Sequence, residues 1–219
     1  MFRYLLAVVL TLALAACGGT TPGYDTPGTN PAPGNALELS APVEGYSGAG
    51  GDVIASLQNS LAQVTSGTLT SAGLLTLELP AEVSSDKLSQ YMFCLGNSLT
   101  YSAPSYALDL LAPLEVREGA TTTGTLSLSN KAGTTGGSQL GLEQLIPLYS
   151  DTALTVKGVC HDLDYATTYD LQLEPGWNFT LLKVTDELGT KATHSTVGEI
   201  PAEVSWQFVS ASAPLSARP

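Results

Sequence analysis

The sequence predicts an all-β fold, an antiparallel β-sandwich with room for two lobes and at most one short helix. Three observations carry that prediction. Apolar residues recur with a period of two in runs of about five to eight, the signature of half-buried strands. Gly, Pro, Asn, Asp and Ser punctuate these runs at short intervals, with no sustained helical period between them. Charged residues make up only 13% of the chain while glycine reaches 22 residues of 219, a balance common in exported β-rich proteins. About 200 residues remain after a short leader, enough to bury a proper core.

The elements follow in chain order. Residues 1–16 read as a targeting signal. Arg3 and the amino terminus form a positive start, Leu5–Leu14 (LLAVVLTLAL) an apolar run, and Ala15-Ala16 a small-residue exit. A membrane-spanning helix needs about 20 apolar residues. This run stops at Ala16 and meets Gly18-Gly19. Gly18–Asn35 (GGTTPGYDTPGTNPAPGN) holds five Gly and four Pro in eighteen residues and reads as a linker. Its reach lies between about 23 Å as a coil and about 56 Å as polyproline II.

From Ala36 the alternation begins, with Leu37 and Leu39. Gly45–Asp52 is a glycine-rich turn. Val53–Val64 satisfies both strand spacing (Val53, Ala55, Leu57) and helix spacing (Val53, Leu57, Leu61, Val64); the flanking glycines favour strand. In Thr68–Pro80, Leu75, Leu77 and Leu79 share one face, Thr76 and Glu78 the other, and Ser71-Ala72-Gly73 supplies the turn before them. Pro80 ends the ladder because it has no N–H to donate. Ser84–Tyr91 has the pattern of a short helix, capped by Ser84 or Ser85, with Leu88, Tyr91 and Met92 inward.

The second half reads as a run of strands. Leu114–Arg117 and Thr123–Asn130 come first, the latter with Leu126 and Leu128 inward. Lys131–Gln139 (KAGTTGGSQ) is a flexible loop. Leu145–Tyr149 and Leu154–Cys160 look like a hairpin joined through Ser150-Asp151-Thr152. Tyr169, Leu171 and Leu173 alternate with polar residues, and Pro175-Gly176 fits a type II turn. Trp177, Phe179 and Leu181 then read as the return along the partner strand. Val204, Trp206 and Phe208 mark a last strand, and 211–219 a frayed tail. The organisation is either one two-lobed domain or two small sandwiches meeting near residue 103, with lobes at 36–103 and 104–210.

Leu14-Ala15-Ala16-Cys17 resembles the lipobox of bacterial lipoproteins, in which small residues precede an invariably placed cysteine. The likeness covers residues 1–17, with every part of the signal in order. It implies cleavage before Cys17, diacylglycerol on its sulfur and often a further acyl chain on the new amino group. One acyl chain holds marginally, and two or three hold essentially permanently. In some bacteria an Asp after the cysteine retains such proteins at the inner membrane, so by the same likeness Gly18 is compatible with the outer membrane, and the localisation expected is the cell envelope. A second, weaker likeness concerns Gly67, Leu69, Gly73, Leu77, Leu79 and Pro80. Around residues 53–82 the chain resembles the hairpin of carboxypeptidase-regulatory-like or transthyretin-like β-sandwiches, which implies a fold and no activity.

Charge narrows the partners. The chain carries 8 Lys+Arg against 20 Asp+Glu, a formal charge of −12. Losing the leader removes one base, Arg3, and takes it to −13. Such a surface excludes nucleic acid and is repelled by anionic lipid. Of three cysteines, lipidation of Cys17 leaves Cys94 and Cys160, which point to a disulfide in an exported domain. The alternative is two separately buried thiols.

Catalytic patterns are missing from the sequence. Gly45-Tyr46-Ser47-Gly48-Ala49 fails as a nucleophile elbow at its last position, and Gly48-Ala49-Gly50-Gly51 lacks the Lys of a phosphate loop. His194 reads as strand or loop surface. His161 precedes Asp162 and Asp164 and lies near Asp170, a set of oxygens that could take Ca²⁺, but the loop glycine and bidentate Glu are missing. A solvated acidic loop is the preferred reading, with Asp162 and Asp164 as weak metal candidates. Tyr91, Phe93, Tyr101 and Tyr106 suggest either a stacking platform for a sugar or a core corner, the latter preferred. Asn178-Phe179-Thr180 is a formal sequon without functional expectation. The expectation is therefore a non-catalytic envelope lipoprotein with no cofactor, attached to the membrane through Cys17 and contacting another envelope protein or a glycan. The alternatives are a tethered ligand- or carbohydrate-binding module and, last, an anchored hydrolase.

Overall fold

The computed structural model describes residues 34–89, 91–94, 98–131, 140–162 and 164–211. The leader, Cys17, nearly all of the linker, most of the Lys131–Gln139 loop and the tail beyond residue 211 lie outside them. The described chain is all β. Its strands are β1 (Leu37–Glu44), β2 (Gly51–Ser56), β3 (Gln63–Leu69), β4 (Leu74–Leu79), β5 (Leu99–Tyr101), β6 (Leu108–Leu110) and β7 (Leu114–Glu118). They continue with β8 (Thr121–Ser129), β9 (Glu143–Ser150), β10 (Leu154–Asp162), β11 (Tyr165–Leu173), β12 (Gly176–Val184), β13 (Lys191–Val197) and β14 (Ser205–Ser210).

Seven strands close on themselves. In order they are β1, β4, β3, β2, β7, β8 and β14, and β14 returns to β1. The closing pair is parallel, Val43 opposite Trp206 and Glu44 opposite Gln207. Alternation dictates what fills the ring. Leu75, Leu77 and Leu79 point inward with Leu37, Leu39, Val53, Ala55, Val116 and Leu126, each 4% exposed or less. The turn into β4 is as the sequence implies: Gly73 takes φ +76° and its N–H bonds the Thr70 carbonyl at 2.9 Å.

From β8 the sheet continues through β9, β12, β13, β11 and β10 to β5. β9 and β12 form a wall between two cores. Leu145, Tyr149, Trp177 and Phe179 face the ring, while Leu148 and Ile146 face a second core with Leu108, Leu110, Leu154, Val156, Leu171 and Leu173. This explains why β12 is buried continuously from Gly176 to Thr180, whereas β4 alternates. The Trp177 indole donates to the Pro80 carbonyl at 2.8 Å, tying this wall to the end of β4. Pro147, which has no N–H, stands where the edge of β9 changes partner from β8 to β6. The two cores interleave along the chain: Phe93, Cys94 and Leu99 join the second core, and Leu114, Leu126 and Trp206 the first.

Three local readings are corrected. Ser84–Tyr91 is not a helix; Ser84–Leu88 makes turns, with Lys87 N–H on the Ser84 carbonyl at 2.9 Å, and Met92 is 60% exposed. β9 and β10 do not pair, since β9 bonds β12 and β10 bonds β11. Nor do β11 and β12: β13 inserts between them, parallel to β11 and antiparallel to β12. The turn at Pro175-Gly176 thus feeds a crossover, and with the β1–β14 closure it makes the sheet mixed rather than purely antiparallel.

Candidate functional site

The residues of chemical interest gather on the second core. Cys94 and Cys160 are joined by a disulfide, with Cα atoms 5.6 Å apart and both side chains buried. Cys160 projects from the inner face of β10, level with Thr167 on β11. The bond fastens the 91–94 segment over that face. Two phenols hold the same segment: the Tyr106 hydroxyl donates to the Tyr91 carbonyl and the Tyr169 hydroxyl to the Phe93 carbonyl, each at 3.4 Å. Burial pushes both phenols up to about 12, so they remain neutral donors across the physiological range.

The aromatic neighbourhood is a core corner. Phe93 is buried, with Tyr91 edge-on at 4.9 Å and Tyr169 tilted at 5.3 Å. Tyr101 and Tyr106 stack at 5.3 Å with 14° between planes, Tyr106 itself buried. No pair of these rings lies bare and coplanar as a sugar platform would.

His194 overturns its reading as surface. It is 5% exposed on β13, with the rings of Tyr169 at 5.5 Å and Phe93 at 6.1 Å. Its Nε2 lies 2.8 Å from the Thr180 hydroxyl, which itself donates to the Ile146 carbonyl at 2.9 Å. The hydroxyl must therefore accept from Nε2–H, which fixes the neutral tautomer. Burial lowers the imidazole from the ordinary 6.5 to about 4. Its Nε2–H is engaged with Thr180, so on this side the ring has no free base for catalysis.

His161, Asp162 and Asp164 stand exposed at the distal end of the β10–β11 hairpin. Asp170 is paired with Lys157 at 3.2 Å in an exposed ion pair. Among the described residues no three His, Cys, Asp or Glu side chains are grouped to hold a metal ion. Asn178 of the sequon is 3% exposed, and its amide donates to the Glu174 and Gly176 carbonyls at 2.8 and 3.0 Å.

One cleft is open. Beyond the 91–94 segment, the described residues leave the inner face of the β10–β11 hairpin open. A recess of about 430 Å³ results, floored by the disulfide and Thr167 and walled by Met92, Phe93, Tyr169, Asp162 and Tyr165. That volume is within the ~300–1,000 Å³ usual for small-ligand sites. Tyr165 is 58% exposed, and Asp162 is directly across the ladder from it.

A second buried constellation escaped the sequence reading. Asp109, on β6, has no solvent exposure. Its Oδ1 accepts from Asn59 N–H (3.1 Å), the Asn59 amide (2.7 Å) and Leu110 N–H (2.8 Å); its Oδ2 accepts from Ser60 N–H (3.1 Å) and the Ser89 hydroxyl (3.4 Å). This carboxylate pins the β2–β3 loop, where Leu61 adopts φ +56°. Its position between Leu108 and Leu110 gave it the look of the solvent face of a strand. Compared with family models, curated proteins and solved structures, the chain matches none.

Proposed function

We propose that the chain is a membrane-anchored bacterial envelope lipoprotein with a non-catalytic, structural or interaction role. The observation that carries the reading is the order of Arg3, the apolar run Leu5–Leu14, Ala15-Ala16 and Cys17, followed by a Gly/Pro linker. Acyl chains on Cys17 hold the amino terminus in the bilayer, the linker spans the headgroups, and the β domain stands clear of them. A disulfide between Cys94 and Cys160 suits an oxidising compartment outside the cytoplasm. The acidic surface favours distance from anionic lipid, and Gly18 favours the outer membrane.

The test is metabolic labelling with radioactive palmitate in a Gram-negative host, with intact-mass analysis of the purified chain. The wild type is expected to take up label, to lose residues 1–16 and to fractionate with membranes. Cys17→Ser is expected to abolish labelling and release the domain from the membrane fraction. An unlabelled wild type, or one still carrying Met1, overturns the reading.

A further inference from the structure

We infer that the cleft at the distal end of the β10–β11 hairpin binds a small organic cation, a quaternary alkylammonium. The inference concerns the cleft alone and is independent of the lipid anchor.

The lining chooses the ligand. Asp162 supplies the carboxylate, and the exposed Tyr165 ring projects beside it from the adjacent strand. Thr167 and Tyr169 follow on the same face, two and four residues along β11. Phe93 closes the inner end, packed 5.3 Å from Tyr169, and Met92 stands 60% exposed at the rim. Aromatic faces together with one carboxylate are the chemistry that recognises an alkylated ammonium, through the ring quadrupoles and a single opposite charge.

The charge is uncompensated locally. Among the described residues, neither Lys nor Arg lines the recess and Asp162 makes no ion pair. Lys157 on β10 is engaged with Asp170. His161 neighbours Asp162 on the strand and so projects to the other face. Lys191 on β13 is level with Ala166, one residue out of phase with Tyr165 and Thr167. The formal charge of −12 adds a long-range field that concentrates cations. A neutral sugar gains nothing from that field. The recess is also preorganised, because the disulfide, two phenol hydrogen bonds and ring packing fix its inner wall.

The experiment uses the full chain with its disulfide intact. Amide chemical shifts are followed while choline, phosphocholine, methyl glucoside or 3,3-dimethylbutanol is titrated in. The last is the uncharged carbon analogue of choline. The expected result is saturable choline binding, with shifts centred on Thr167 and Tyr169 and weakening as salt is raised. Binding of phosphocholine as well assigns the site to a headgroup; binding of choline alone assigns it to a free cation. Tyr165→Ala and Asp162→Asn are each expected to weaken binding about fivefold. Both positions are exposed, and an unchanged thermal midpoint shows the fold intact. The inference is overturned if choline leaves the spectrum unmoved, if the uncharged analogue or the glucoside binds equally well, or if both variants bind as the wild type does.

Discussion

Asp109 and His194 are two polar side chains placed where solvent cannot reach, and each is stable only because neighbours replace the lost water. For Asp109 the replacement is five donors, four of them from the 59–60 loop and Ser89. Asp109→Asn puts an amide where one carboxylate oxygen stood, so donors face donors. The expected cost is about 3 kcal/mol by urea titration, with faster hydrogen exchange at the Asn59 and Ser60 amides. For His194 the consequence is a pH dependence. Its folded value of about 4 lies below the ordinary 6.5, so the unfolded chain binds the proton more tightly. Stability is then complete above 6.5 and falls as pH drops from 6.5 to 4, by about 3 kcal/mol once below both values. Subtracting the profile of His194→Gln from that of the wild type isolates this share; a difference flat across that window contradicts it.

Elements were legible where the pattern is local. Leu75, Leu77 and Leu79 share one inward face because a strand has a period of two, and Gly73 sits in a turn because that turn needs a positive φ. Gly67 belongs to the same legible hairpin, and its reason is steric. A Cβ there would stand 2.3 Å from the Thr76 carbonyl oxygen and 3.0 Å from Leu77 Cα. Gly67→Ala is expected to cost at least about 2 kcal/mol, read from the shift in urea midpoint, because backbone must move. Partnership was not legible. Ser150-Asp151-Thr152 and Pro175-Gly176 carry turn chemistry, but a turn reports a change of direction and not which strand lies alongside. β13, distant in sequence from β11, wins the place between β11 and β12. His194 was misread for a related reason: Lys191, Thr193, Ser195 and Thr196 give β13 a polar look, and only tertiary packing buries one of its faces. The cleft was half legible: Asp162 stood out as a metal candidate and Tyr165 as one of several tyrosines, but only the strand register sets them across from each other.

At the scale of the whole molecule, two covalent or topological ties join distant parts of the chain. The disulfide closes a loop across 66 residues. In the chain-entropy account, Cys94→Ala with Cys160→Ala is expected to lower stability by about 4 kcal/mol, measured as urea unfolding against the oxidised wild type. An unchanged midpoint contradicts it. The other tie is β14, which pairs with β1 on one edge and β8 on the other. It has a consequence in time. As the chain is made, β1 cannot find its parallel neighbour until some 160 residues later, when Trp206 and Gln207 arrive. Until then β1 and β8 present bare edges, open to pairing with other chains. A protein assembled this way has its greatest need of an attending chaperone just before its last strand is in place.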